Sequence, residues 1–346
     1  MLDTYPVSPV DEDLLARVRH AIDIKTKPPG SLGRIEALAL QMAGAQNIAD
    51  PAVDPARLLL FAGDHGMVSE GVSAWPSEVT TQMVANFLAG GAAANVFART
   101  NGVSITIIDA GIAGDLPDHP DLVRANIRKG TRNALHEDAL TPAETQSALD
   151  FGAQCAAEAI AEGARVIALG EMGIGNTASA ALLAHAVEGI DLDPLTGPGA
   201  GLDAPGVRRK AEILKRIAAR RPGRLSPADA LSAFGGLEIA MMAGALIGAA
   251  SANAIVLVDG FIASAAALCA LRARPDAMPH AVFAHRSKEP GHRLILDALG
   301  AEPLIDLDLR LGEGTGALLA FPLLRNACAM LAEMATFESA GISGKE

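Results

Sequence analysis

The sequence predicts an α/β protein: a Rossmann-like, mostly parallel sheet of about six strands with helices on both faces. Three observations carry that expectation. Six short apolar runs punctuate the chain, at residues 57–62, 103–108, 166–169, 255–258, 281–284 and 304–309. Uninterrupted runs of this kind fit strands covered on both faces, as in a parallel sheet. Helical segments separate most of them, the alternation from which α/β layers are built. Glycines, acids or histidines also follow each run, at the strand ends where open α/β sheets bind ligands.

In chain order, residues 9–24 read as a first helix. The loop Lys27-Pro28-Pro29-Gly30-Ser31-Leu32-Gly33 excludes helix through its double proline, and Ser31 is placed to cap a second helix over 32–46. These two helices precede the first strand and suit a separate small lobe. Pro76 suits the first turn of a helix running to about Leu88. Thr141-Pro142-Ala143-Glu144 has capping-box spacing and opens a long helix to about Glu162. Residues 239–258 form an uncharged run of 20, long enough for a membrane span. They lack flanking basic or aromatic anchors and break at Ser251-Ala252-Asn253, so a buried helix followed by a strand is the reading.

The 346 residues suffice for a sizeable core, in one large or two unequal domains. A formal net charge of −12 without a basic stripe argues against nucleic acid. One small anionic ligand, which needs only local donors, stays open. Cys155, Cys269 and Cys328 are far apart in alanine-rich helical patterns and read as buried thiols, with no disulfide or zinc spacing. The acidic, proline-containing N-terminus lacks a secretory signal pattern.

Five stretches carry chemistry. Leu309-Arg310-Leu311-Gly312-Glu313-Gly314-Thr315-Gly316 sets one carboxylate between glycines before an apolar helix. The glycines permit a sharp turn and close ligand approach, and the helix N-terminus offers free N–H groups to an anion. Gly170-Glu171-Met172-Gly173-Ile174-Gly175-Asn176-Thr177 repeats the arrangement, with Asn176 and Thr177 placed to cap a helix or bind an oxyanion; Lys210 would add charge for a phosphate. Without G-x-G-x-x-G or a P-loop lysine, dinucleotide and triphosphate binding are disfavoured. His285, Glu289 and His292 would share a helical face, but Pro290 and Gly291 interrupt it. Carboxylate–imidazole hydrogen bonding within a structured loop is therefore favoured over a metal, with Ser287 a phosphate donor. Gly63-Asp64-His65-Gly66 is half of a binuclear phosphoesterase pattern whose other half is missing. Finally, Ser73, Trp75, Gln82 and Met83 suit the wall of a flat heterocycle pocket, with Trp75 and Met83 equally suited to a core.

Together these motifs resemble the nicotinate-nucleotide–dimethylbenzimidazole phosphoribosyltransferase family. The resemblance runs over about residues 20–340 and includes Glu70-Gly71-Val72-Ser73, Gly90-Gly91-Ala92-Ala93, Gly235-Gly236, Glu238-Ile239-Ala240, Asp259-Gly260-Phe261 and Glu333-Met334-Ala335-Thr336-Phe337. It implies a large α/β catalytic domain over 51–317, a small helical domain from 1–50 and about 318–346, and a homodimer in the cytoplasm. It further implies a pentosyltransferase moving phosphoribose from nicotinate mononucleotide to a benzimidazole, with no cofactor and no metal. By resemblance Glu313 is the general base. Glu171, Gly173, Gly175, Asn176, Thr177, Lys210, Ser287, Gly314, Thr315 and Gly316 match the phosphoribosyl and nicotinate side. Ser73, Gln82, Met172, Leu311 and Gly312 border the benzimidazole, and Asp64, His65 and Asp259 support the site. Two departures from the family pattern stand out: Gly199-Ala200-Gly201 where Gly-Thr-Gly is expected, and Ala178 where a threonine is common. The rival readings are a metal-dependent phosphohydrolase using Asp64, His65, His285 and His292, and a nucleotide-binding protein without catalysis.

Overall fold

The computed structural model describes residues 4–125 and 127–343. Its core is one sheet of six parallel strands: β1 (Ala56–Gly63), β2 (Ser104–Gly111), β3 (Leu122–Arg124), β4 (Val166–Met172), β5 (Ile255–Val258) and β6 (Ala281–Phe283), in the order β3-β2-β1-β4-β5-β6. This is the doubly wound order, in which the chain reverses its direction of travel between β1 and β4. Thirteen helices are seen among the described residues: α1 (Glu12–Asp23), α2 (Arg34–Gln46), α3 (Glu78–Leu88), α4 (Ala93–Asn101), α5 (Pro142–Ala161), α6 (Asn176–Glu188), α7 (Leu192–Leu195), α8 (Ala204–Ala218), α9 (Pro227–Phe234), α10 (Leu237–Ser251), α11 (Phe261–Ala273), α12 (Pro290–Leu299) and α13 (Thr315–Glu333).

The strands divide their side chains between two apolar layers by the two-residue period of a strand. Leu59 and Phe61 join Ile167, Leu169, Val256 and Val258 in the layer with α5, α6, α10 and α11. Leu58, Leu60 and Ala62 join Ala168, Ile255 and Leu257 in the layer with α1, α2, α4 and α13. Both faces are therefore dry, which is why the strands read as continuous apolar runs. The chain-end helices α1, α2 and α13 are part of the second layer. An isolated Lys25–Thr336 bridge ties the two ends together, and the Lys25 ammonium donates to the Met334 carbonyl at 2.7 Å. The 239–258 run is α10 and β5, both buried. By length and composition α13 is apolar enough to cross a membrane, yet more than half of it is packed inside the fold.

Several expectations need correction. Residues 304–309 are not a strand. Ile305 forms one bridge with His285, after which Asp308 turns into the left-handed region and Leu307 is 58% exposed. Acids alternating with leucines leave this segment an irregular edge beside β6, held by N–H donation from Arg286 to Ile305 and from Lys288 to Leu309. The sixth strand is β3, only three residues long and too short to stand out after Pro117 and Pro120. Ser31 does not cap α2. That helix starts after Gly33, and Glu36 reaches back to accept from the Gly30 and Leu32 N–H groups while pairing with Lys27 at 2.9 Å. The capping box is present: Thr141 and Glu144 bond reciprocally at the start of α5.

Candidate active site

The reversal between β1 and β4 opens a crevice at the strand C-termini, and the loops after β1, β4, β5 and β6 converge on it. A cavity of about 470 Å³ fills it, of a size suited to a small nucleotide or heterocycle. Its apolar side is lined by Val72, Val79, Met83, Met172, Phe261 and Leu311, with Ser73 beside them. Trp75 crosses the mouth: its indole N–H donates to the Ala200 carbonyl at 2.8 Å, joining the segment before α3 to the loop before α8.

Glu313 stands in this wall on a strained turn. Its φ is 62°, between Gly312 at 88° and Gly314 at 77°, so three successive residues are left-handed, the central one not a glycine. The turn aims the carboxylate at the first turn of α4, where Oε2 accepts from the Ala94 N–H at 3.2 Å. Burial pushes the Glu313 carboxyl above the usual carboxylate range against the lowering effect of that bond, and Asp259 adds repulsion. The turn also lies tight against β4. A Cβ at Gly312 would come within 2.1 Å of Glu171 Oε1, and one at Gly314 within 2.6 Å of Leu58.

At the other end, Gly173, Ile174, Gly175, Asn176 and Thr177 present the N-terminus of α6 to the cavity. The helix is capped by Gly175, not by a side chain; the Asn176 and Ala178 N–H groups donate to the Gly173 and Gly175 carbonyls, which leaves the Thr177 N–H for an anion. Asn176 instead donates to Glu171 Oε2. Behind Thr177 lies Lys210, 1% exposed, donating to Thr177 Oγ1 at 2.8 Å and to the Gly197 carbonyl at 3.4 Å. Ser287 and Glu289 complete that wall.

Beneath the cavity sits an acid cluster. Glu171 is pushed up to about 8, chiefly by burial, then by Asp259 and Glu238, with the Asn176 bond opposing. Asp259 accepts from the Ala317 N–H at 2.9 Å and lies 3.6 Å from His285. Glu238 and His65 form a fully buried pair at 2.7 Å. Burial alone would lower His65, but the Glu238 and Asp64 carboxylates outweigh it and leave the imidazole raised.

The structure brings most of the sequence-derived residues to this crevice, with exceptions. Gln82 does not line the cavity: on α3 it faces outward, and its neighbour Met83, a helical step round, points in. Lys210, Asp259, Gly314, Thr315 and Gly316 sit behind the wall, not in it. Asp64 and His65 border a second, more open hollow of about 610 Å³ that shares Ser73 and Trp75 with the first. The carboxylate–imidazole bond expected within 285–292 is absent. His292 accepts from the Ser287 N–H at Nδ1 and contacts Ser264 Oγ at 2.9 Å; an acceptor at Nδ1 makes Nε2 the protonated nitrogen of the neutral ring. Glu289 turns towards Lys210 instead. The four residues of the phosphohydrolase reading thus have separate partners, and no group of three or more His, Cys, Asp or Glu among the described residues is arranged to hold a metal. Glu238 belongs to a motif of the family resemblance but carries no role from the sequence, because nothing local in Gly236-Leu237-Glu238 marks it as the residue that pairs with His65.

Residues 7–342 match a family model described as a phosphoribosyltransferase. A nicotinate-nucleotide–dimethylbenzimidazole phosphoribosyltransferase of Cupriavidus necator is 50% identical over 337 residues, 97% of each chain. One of Ralstonia nicotianae is 52% identical, over 97% of this chain and 96% of that one. The crystal structure of CobT from Thermus thermophilus superposes with a TM-score of 0.92 at 44% identity, over 96% of this chain and all of that one. The chain belongs to the nicotinate-nucleotide–dimethylbenzimidazole phosphoribosyltransferase family. Within that family's pattern its two departures are of different kinds. Ala178 is fully buried in the layer beneath α6, so the missing hydroxyl would have faced the core. Ala200 lines the cavity at the Lys210 end, where a lost hydroxyl removes one potential donor.

Proposed function

We propose that this chain transfers the 5-phosphoribosyl group of nicotinate mononucleotide to a ring nitrogen of 5,6-dimethylbenzimidazole, releasing nicotinate and α-ribazole 5′-phosphate for cobalamin biosynthesis. The observation that carries the reading is the pairing of ends in one cavity: a buried carboxylate beside an apolar slot, and a helix N-terminus backed by a buried lysine opposite. The slot suits a flat, neutral heterocycle, and the helix N-terminus suits a phosphate. In nicotinate mononucleotide the leaving nitrogen is already cationic, so the C1′–N bond breaks with its electron pair on neutralised nicotinate and needs no acid. The attacking benzimidazole nitrogen forms the new C1′–N bond and would leave the ring cationic unless its other N–H proton departs. Glu313 takes that proton. Its raised affinity for protons brings it nearer to neutral pH, where a general base is most effective, and such assistance is worth roughly 100- to 10,000-fold. A second acid, Glu171 or Asp259, stabilises the oxocarbenium character of C1′ electrostatically, Glu171 only once it has given up the proton it holds up to about pH 8 in the empty site.

We take the working unit to be a cytoplasmic homodimer, with residues 1–50 and about 318–346 acting as one helical unit against 51–317. Incubating the protein with nicotinate mononucleotide and dimethylbenzimidazole should yield free nicotinate and an α-linked ribotide. In size-exclusion fractions the activity should elute at twice the 35.4 kDa chain mass. Absence of both products would end the reading; activity at the single-chain mass would end only the dimer.

A further inference from the structure

Lys210 and Glu289 are opposite charges buried on one wall, and neither is satisfied by the other. The Lys210 ammonium touches only neutral oxygens, those of Thr177 and Gly197, and among the described residues no carboxylate lies within ion-pair distance of it. Glu289 is 5% exposed, and its carboxylate makes no close side-chain hydrogen bond, the Gly199 backbone N–H being the neutral donor that faces it. Its backbone N–H leans on Ser287 Oγ at 3.3 Å, and its carboxylate presses on Gly197 so closely that a Cβ there would lie 2.1 Å from Oε2. The charged groups acting on Glu289 are Lys210 from α8 and Arg310 from the loop before α13; the charged group acting on Lys210 is Glu289.

A buried ammonium without an anion tends to lose its proton, and a lysine that has done so no longer attracts phosphate. We propose that Glu289 is a positioning residue that acts through Lys210: its charge, held at a distance by Gly197, keeps Lys210 protonated in the empty site while leaving the ammonium free for an incoming phosphate. A direct ion pair would hold the lysine more firmly but would have to be broken each time the ligand entered. The separation supplies the charge without that competition. Burial lowers Lys210 to about 8 even with Glu289 opposing it, so the lysine sits close to the point where the help matters. This inference rests on the phosphate end assigned above, but not on transfer itself.

The test is therefore binding. Inorganic phosphate and nicotinate mononucleotide are titrated by calorimetry from pH 6.5 to 9.5 into the wild-type chain and into the Glu289→Gln, Glu289→Asp and Lys210→Met variants. Wild-type affinity should fall as pH rises through about 8. In Glu289→Gln the fall should begin about one pH unit lower, the scale of a nearby opposite charge, and affinity at pH 8 should drop severalfold. Glu289→Asp should restore the wild-type limb, and Lys210→Met should bind weakly with no limb. A Glu289→Gln limb that superposes on wild type, including a uniform loss at every pH, would overturn the proposal, as would absence of phosphate binding to the wild-type chain. A chain that binds phosphate with these limbs but makes no ribotide would keep this inference and lose the proposed activity.

Discussion

At the scale of single residues, the site depends on a backbone turn as much as on a carboxylate. A left-handed non-glycine residue is worth roughly 1–3 kcal/mol of strain, and Glu313 sustains it because its flanking glycines carry the rest of the turn and Ala94 fixes its side chain. Glutamine at this position can adopt the same turn and accept the same bond through its amide oxygen, but it takes no proton. Glu313→Gln should therefore keep the fold and the affinity for nicotinate mononucleotide while lowering turnover at least 100-fold, on the general-base scale. Stopped-assay rates beside calorimetric binding would show it, and near-normal turnover would remove Glu313 from its role. Much of this was legible beforehand: a carboxylate between glycines after an apolar run is a local pattern. Glu238 was not, since its partner His65 is 173 residues away and only the fold brings them together.

At the scale of elements, the sequence announced those whose signals are local. Apolar runs gave five of the six strands, and Thr141 with Glu144 marked the start of α5. Residues 304–309 misled because alternate leucines look like a strand, while their edge position and the turn at Asp308 follow from how β6 ends. The packing of α5 on α10 was also hidden. A Cβ at Gly152 would lie 1.9 Å from the Met241 carbonyl, and one at Gly244 would lie 1.9 Å from that of Leu149. The two helices thus meet backbone to backbone at glycines that, read in sequence, look like weak points of a helix. Because backbone cannot swing aside as a side chain can, Gly152→Ala should lower stability by about 3 kcal/mol, the upper part of the usual range for overpacking. Urea denaturation would measure it, and a loss under about 0.5 kcal/mol would show that the helices part easily.

At the scale of the whole molecule, the buried titratable groups set a stability profile with two falling limbs. Glu171 moves from an ordinary value of 4.5 to about 8, so over that interval the folded state holds a proton that the unfolded chain releases, and stability falls as pH rises. Burial and the neighbouring His285 bring His292 from 6.5 down to about 3, so over that interval the unfolded chain holds the extra proton and stability falls as pH falls. From about 4.5 to 6.5 the two slopes oppose each other and give a plateau. Below it His292 acts unopposed, joined by Glu144, which its arginine partner Arg132 and the Thr141 bonds hold at about 2 despite burial. Above it Glu171 prevails, with Asp64, Asp259, Glu289 and Glu313 raised in the same sense, chiefly by burial. A site that gathers buried carboxylates therefore weakens the fold most on the alkaline side. Glu171→Gln removes one titration without removing the side chain's bulk. Measured by urea denaturation, its stability relative to wild type should rise between pH 6.5 and 8 by up to about 1.4 kcal/mol per pH unit, the value of one linked proton. A difference that stays constant over that range would mean that Glu171 is ionised in the folded chain, and that another group sets the alkaline limb.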